Sequence, residues 1–128
     1  MTDNSNVNNG LITKIWGPPL WTSLHCITFG YPIEPTPEQK INYKIFLEKV
    51  GDVLPCKFCR DSYKKFINEP DTLLDDNALK NRGSLTKWLY DLHNKVNNKL
   101  GFTYGVTYES IVNRYEKFRA KCGNDNSR

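Results

Sequence analysis

Apolar residues along this chain recur at three- and four-residue intervals, and no run of strict alternation competes with them. That period marks amphipathic helices and not half-buried strands. Trp21, Leu24 and Thr28 share one face and predict a helix from about Pro18 to Phe29, stopped by Gly30. Pro18 and Pro19 suit its first turn, where a missing N–H would be unpaired anyway. Thr36-Pro37-Glu38-Gln39 is a start signal: Thr36 can cap, Pro37 takes the first helical position and Gln39 completes a capping box. Ile41, Ile45, Phe46 and Val50 mark the apolar face of this second helix, which Gly51 and Pro55 close. A third helix opens at Cys56, carries Cys59, Tyr63, Phe66 and Ile67 on one side, and ends before Pro70. Residues 70–83 read as a loop with one short turn. Ser84 is placed to cap a fourth helix whose stripe is Leu85, Trp88, Leu89, Leu92 and Val96, with Gly101 at its C-terminal cap. Thr107 opens a fifth, with Ile111, Val112, Tyr115 and Phe118 as its stripe. The short connections favour antiparallel neighbours, so the expected architecture is an all-α helical bundle.

Composition narrows the function classes. The 128 residues make one domain, expected over 13–121, with an unstructured arm at 1–12 and a polar tail at 122–128. The apolar share of 38% is a little low. The core is then thin, and a bound cofactor could help fill it. No apolar run approaches the length of a transmembrane helix, and the polar start MTDNSNVNNG reads as neither a secretory signal nor a transit peptide. The net charge of +4 is spread among acidic residues, which favours a solvated surface over a nucleic-acid patch. Four cysteines are too few for a small secreted disulfide scaffold.

The sharp motif is Cys56-Lys57-Phe58-Cys59. Two cysteines three apart at a helix start are near neighbours able to form an exchangeable disulfide. The helix N-terminus, Lys57 and Arg60 favour the thiolate that such exchange needs. A zinc site would need two more ligands, and His25, His93, Cys26 and Cys122 do not supply a second pair at the usual spacing. No metal is expected. A thioredoxin-like unit would need strands around the motif, and helices flank it. A redox centre and a pair of buried reduced cysteines both remain open on these residues. Trp21 with His25, and His93 with Asn97 and Leu100, lie along helix faces. Either set could cradle a flat, polar-edged ligand, or the histidines could be hydrogen-bonded core residues. Neither standard phosphate loop occurs.

Trp21-Thr22-Ser23-Leu24-His25, Tyr31-Pro32, Pro35-Thr36-Pro37-Glu38-Gln39, Pro55-Cys56-x-x-Cys59, Trp88-Leu89 and His93-Asn94-x-Val96-Asn97-x-x-Leu100-Gly101 occur in order. Over about Trp16 to Tyr115 this resembles the ERV/ALR family of FAD-linked sulfhydryl oxidases. The resemblance implies a four-helix bundle with a short fifth helix, usually a homodimer, holding FAD inside. Gly17, Trp21 and His25 would line the cofactor from the first helix. His93, Asn94, Val96, Asn97, Lys99 and Leu100 would hold it from the fourth, with Tyr115 against the adenine. It implies an enzyme in which client thiols reduce Cys56–Cys59, Cys59 faces the flavin and reduces it, and oxygen leaves as hydrogen peroxide. A disulfide relay using another acceptor, and a non-catalytic binding module, are the alternatives. Expected partners are protein thiols and a thioredoxin-like relay protein.

The chain also departs from that pattern. Tyr90 stands where many members carry a structural cysteine two residues after the conserved Trp88. Cys122 is alone in its tail and cannot form a shuttle pair by itself. Cys26, mid-helix, reads as a small buried hydrophobe, with a Cys26–Cys122 or intersubunit bond as a further option. This stripped form is similar to the compact oxidases of large DNA viruses. It implies a soluble protein working in host cytoplasm or the virion, with the mitochondrial intermembrane space as the alternative.

Overall fold

A computed structural model of the chain describes residues 10–103 and 105–119. Among these residues five α-helices form: α1 (Thr13–Phe29), α2 (Pro37–Val53), α3 (Lys57–Phe66), α4 (Arg82–Lys99) and α5 (Tyr108–Glu116). A 3-10 turn at Pro70–Thr72 lies between α3 and α4, and among the described residues the only strand-like feature is an isolated bridge between Gly10 and Cys56. Helix α1 packs on α4, α2 on α3, α3 on α4, and α5 on α1. The expected all-α fold with a shorter fifth helix is therefore what forms. No helix among the described residues is long and apolar enough to cross a membrane.

Local chemistry explains most of the boundaries. The capping box at α2 forms in full, with Gln39 N–H donating to Thr36 Oγ1 at 3.1 Å and Thr36 N–H to Gln39 Oε1 at 2.9 Å. Thr107 caps α5 by accepting from Ser110 N–H at 3.1 Å. Gly101 follows α4 at φ +86°, the left-handed backbone that glycine tolerates best. Tyr63, Phe66, Ile67, Leu85, Trp88, Leu89 and Leu92 all enter the core as expected. Trp88 Nε1–H donates to the Thr72 carbonyl at 2.9 Å, which pins the connecting segment beneath α4.

Five expectations need correction. Helix α1 starts at Thr13, so Pro18 and Pro19 stand inside it and not in its first turn. Their missing N–H groups would have met the carbonyls of Lys14 and Ile15, both exposed residues that water can serve. Helix α4 starts at Arg82 because Asn81 caps it, accepting from Ser84 N–H at 2.8 Å. Asparagine is as good a cap as serine and lies three residues earlier. On α2, Ile41, Ile45 and Phe46 are exposed, and the buried line is Leu47, Val50 and Gly51, with Tyr43 packed beside it. On α5, Ile111 is buried but Phe118 falls beyond the helix and is exposed. Gly51 does not end α2. It lies within the helix, where the ring of Tyr63 presses against it.

A Cβ on Gly51 would stand 2.5 Å from Tyr63 Cδ1. That ring is buried, and its hydroxyl donates to the Leu47 carbonyl, so it has nowhere to retreat. Gly51→Ala should therefore destabilise the chain by about 1–3 kcal/mol, even though alanine is the better helix former. A urea midpoint equal to or above that of the parent chain would refute this packing.

Candidate active site

The turn between α2 and α3 sets the two motif sulfurs in unequal surroundings. Cys56 is the N-cap of α3, in extended backbone, and its sulfur accepts from Cys59 N–H at 3.4 Å. It thus lies at the positive end of the helix. Arg60 folds back to donate to the Leu54 carbonyl at 2.6 Å, which keeps its charge beside the turn. Burial pushes the Cys56 thiol up. The hydrogen bond with Cys59, the N–H groups of Cys59 and Phe58, and the Arg60 charge outweigh that and leave it more acidic than an ordinary thiol. Cys59 goes the other way. Burial and then its bond with Cys56 raise it, against smaller opposing effects of the Thr13 hydroxyl and the Lys99 charge. Both thiols are free and half-buried. The sulfur that ionises more readily is the one at the cap.

Both cysteines open onto an apolar cavity of about 300 Å³ between α1, α2, α3 and α4. Trp16, Leu24, Val50, Leu54 and Val96 form much of its wall, with Lys99 and Ser62 hydrogen-bonded to each other at one side. Thr13, Gly17, Trp21 and Leu100 are shared with a second cavity of about 670 Å³, so the two are ends of one cleft. The second end is the more polar of the two. Beside Ile12, Pro18 and Phe102 it is lined by Lys14, Thr22, His25, His93, Asn97, Arg114 and Tyr115.

Between α1 and α4, His25 Nε2 and His93 Nδ1 lie 3.0 Å apart, one ring donating to the other. Burial lowers His25 to about 4, helped by the nearby Arg114 charge. Burial also lowers His93 to about 3, with His25 adding to the effect. Both are neutral at pH 7. Trp21 stacks on His93 at 3.9 Å between centroids and 7° between planes, and Tyr115 lies over His25 at 5.5 Å. His25 Nδ1 is fully buried and has no hydrogen-bond partner. Such a group calls for an explanation, and a bound ligand supplies one. An apolar slot beside two sulfurs, continuous with a polar end carrying imidazoles and two cations, fits a molecule with a flat ring system and an anionic tail.

The structure brings together nearly all of the residues singled out from sequence. Gly17, Trp21 and Leu100 line both ends of the cleft, Val96, Lys99, Cys56 and Cys59 the apolar end, and His25, His93, Asn97 and Tyr115 the polar end. Asn94 is half-buried and lines neither. Thr13, Lys14, Arg114 and the α2 wall of Val50 and Leu54 were missed, because nothing in their local spacing distinguishes them. Cys26, expected to be buried, is exposed on α1, and Cys122 lies outside the described residues. Phe58 is 61% exposed at the rim of the apolar end.

The Erv1 / Alr family model matches residues 18–116. The chain belongs to the Erv1 / Alr family. Among its relatives is a probable FAD-linked sulfhydryl oxidase of Acanthamoeba polyphaga mimivirus, 39% identical over 102 residues, 80% of this chain and 69% of that one. The mitochondrial FAD-linked sulfhydryl oxidase ERV1 of Saccharomyces cerevisiae is 36% identical over 66% of this chain and 42% of its own length. The crystal structure of the FAD binding domain of Erv1 from Saccharomyces cerevisiae superposes with a TM-score of 0.74 at 29% identity, over 84% of this chain and 96% of that domain.

The buried imidazoles of this Erv1 / Alr chain make its stability depend on pH. Their folded pKa values lie below the ordinary 6.5, so the unfolded chain binds more protons in this range. The stability they permit is complete above pH 6.5 and is lost as pH falls toward 4. A loss on the order of 3 kcal/mol for each histidine is expected over that window. Urea midpoints measured from pH 7 to pH 4.5 should decline, and the double variant His25→Asn, His93→Asn should decline less steeply. Equal slopes would show that the histidines are not the titrating groups.

Proposed function

We propose that this chain is an FAD-linked sulfhydryl oxidase that forms disulfides in protein clients, with Cys56 and Cys59 as its catalytic pair. The observation that carries the reading is the opening of both motif sulfurs onto the cleft whose other end is lined by His25 and His93. Gly17, Trp21 and His25 from α1, His93, Val96, Asn97, Lys99 and Leu100 from α4, and Tyr115 from α5 would hold the cofactor; Asn94, which faces neither end of the cleft, would not touch it directly. When bound, FAD supplies a two-electron acceptor that oxygen can reoxidise, with hydrogen peroxide as product.

The protein's own part is thiol chemistry. A client thiolate attacks Cys56 Sγ of the oxidised pair, the Cys56–Cys59 bond breaks, and a mixed disulfide forms. A second client thiolate attacks the client sulfur of that bond and Cys56 leaves. The client gains one disulfide, and Cys56 and Cys59 hold the two electrons as thiols. The lowered thiol of Cys56 makes it the better leaving group for the second step. Cys59, on the first turn of α3 with its sulfur toward the apolar end, passes the electrons on. Trp16, Leu24 and Val96 keep water from that end.

A second copy of the chain is the partner that the exposed Ile41, Ile45 and Phe46 on α2 support. A homodimer covering them would turn three exposed apolar side chains into interface. Protein thiols and a thioredoxin-like relay are the client class. The viral relative supports work in host cytoplasm or the virion, and the mitochondrial relative supports the intermembrane space as the alternative.

The purified protein should be yellow, consume oxygen with a dithiol and release peroxide. Cys56→Ser should abolish thiol oxidation while the flavin absorbance stays. A colourless, folded protein that takes up no FAD would sink the reading, and turnover only with an acceptor other than oxygen would convert it to a relay. Ile45→Asp with Phe46→Asp should shift sedimentation from dimer to monomer. A dimer that survives both changes would place the interface elsewhere.

A further inference from the structure

The motif is held from a second side by the residues that lead into α1. Leu11 N–H donates to the Pro55 carbonyl at 2.6 Å, and Gly10 bridges Cys56. Gly10 has φ +91°, and a Cβ there would stand 2.1 Å from the Pro55 oxygen. Only glycine fits so close to the turn. Trp16 Nε1–H donates to the Leu11 carbonyl at 3.0 Å, tying this strap to the first turn of the helix. Thr13 is then the first helical residue, and its hydroxyl lies 3.8 Å from Cys59 Sγ. Its side chain has little freedom. Gly17, one turn on, carries no Cβ, and one placed there would meet Thr13 Cγ2 at 3.3 Å. The methyl group occupies the space above Gly17, which leaves the hydroxyl toward the sulfur.

We propose that Thr13 is a positioning residue for Cys59, its hydroxyl donating to that sulfur when it is the thiolate and holding it toward the cleft. The proposal rests on Cys59 being the inner cysteine of the oxidase. A thiolate is an acceptor only, so the hydrogen bond must run from Thr13 in that state and favours it. Among the described residues, the titratable groups that act on Cys59 are Cys56 of the motif, which opposes its ionisation, and Lys99 of α4, which favours it. Helix α1 contributes only the uncharged hydroxyl. That hydroxyl is the one hydrogen-bond donor α1 offers the sulfur.

The test needs neither flavin turnover nor oxygen. In a background of Cys26→Ser, Cys56→Ser and Cys122→Ser, Cys59 is the sole thiol, and its alkylation by iodoacetamide against pH gives its ionisation midpoint. On the protein as purified, Thr13→Val should raise that midpoint by about half to one pH unit. Thr13→Ser, which keeps the hydroxyl, should leave it near the parent value. Gly10→Ala, which expels the strap from Pro55, should move it upward although Thr13 is intact. An unchanged midpoint in a folded Thr13→Val protein overturns the proposal, and so does a shift that serine fails to prevent. Failure of the oxidase reading is distinguishable. It would show as absent flavin and absent thiol oxidation in the parent chain, whatever the Thr13 series does.

Discussion

His25 and His93 meet at 3.0 Å in the seam between α1 and α4, and the cleft is organised around that meeting. Two neutral imidazoles have two N–H donors and two bare nitrogens between them. Their mutual bond uses one of each, and His25 Nδ1 remains to be served in a place that water does not reach. Aliphatic side chains cannot do this, and the seam therefore cannot close into an ordinary core. It stays open at its polar end, roofed by Tyr115 from α5 and flanked by Trp21 stacked on His93. The same pair aligns α1 against α4, because a one-residue rotation of either helix would carry its imidazole away from the other. Docking of α5, the alignment of the two long helices and the survival of a cleft thus share one cause.

The redox end depends on a different economy. A single sulfur serves as a helix cap where serine, threonine, asparagine or aspartate is usual. This puts Cys56 among the free N–H groups of α3 and places Cys59 one turn on, toward the apolar cavity. Three residues of helix separate the groups in space while leaving them close enough to bond. Unequal surroundings then separate them in acidity, one thiol lowered and the other raised. Each sulfur is suited to one side of the exchange, the outer one to meet and leave a client and the inner one to face the cleft.

How far this was readable from sequence varies with the range of each interaction. The Thr36 capping box, the Thr107 cap, the stripe of α4 and the motif at Cys56 are settled within a few residues and were legible. His25 and His93 were legible as candidates, since each lies four residues from a partner on its own helix. Their bond to each other joins residues 68 apart, and no local spacing announces it. Thr13, Lys14 and Arg114 reach the cleft only because α1 begins early and α5 folds across it. The α2 face was misread for a physical reason: Ile41, Ile45 and Phe46 repeat at helical spacing just as Leu47, Val50 and Leu54 do. Periodicity finds both faces and cannot say which one meets the chain's own core. Gly51 was misread likewise, since a helix-ending glycine and one that admits Tyr63 look alike in sequence.

Tyr90 ties the segment leading into α5 back to α4. Its hydroxyl donates to the Val106 carbonyl, and its ring meets the edge of Tyr108 at 5.7 Å. Tyr108 in turn shares a 2.8 Å hydrogen bond with Thr86 on α4. Two tyrosines and a threonine thus join α4 to the segment leading into α5. Each such bond contributes about 1 kcal/mol net, whereas a disulfide contributes about 2–4 kcal/mol. Such contacts need no oxidant and survive in a reducing compartment, but they hold a helix less firmly than a cross-link would. Tyr115, which roofs the imidazoles, is carried on that helix. A ligand filling the cleft against Tyr115 and His25 would add its binding free energy to the folded state, and so would firm the docking of α5 that these contacts begin.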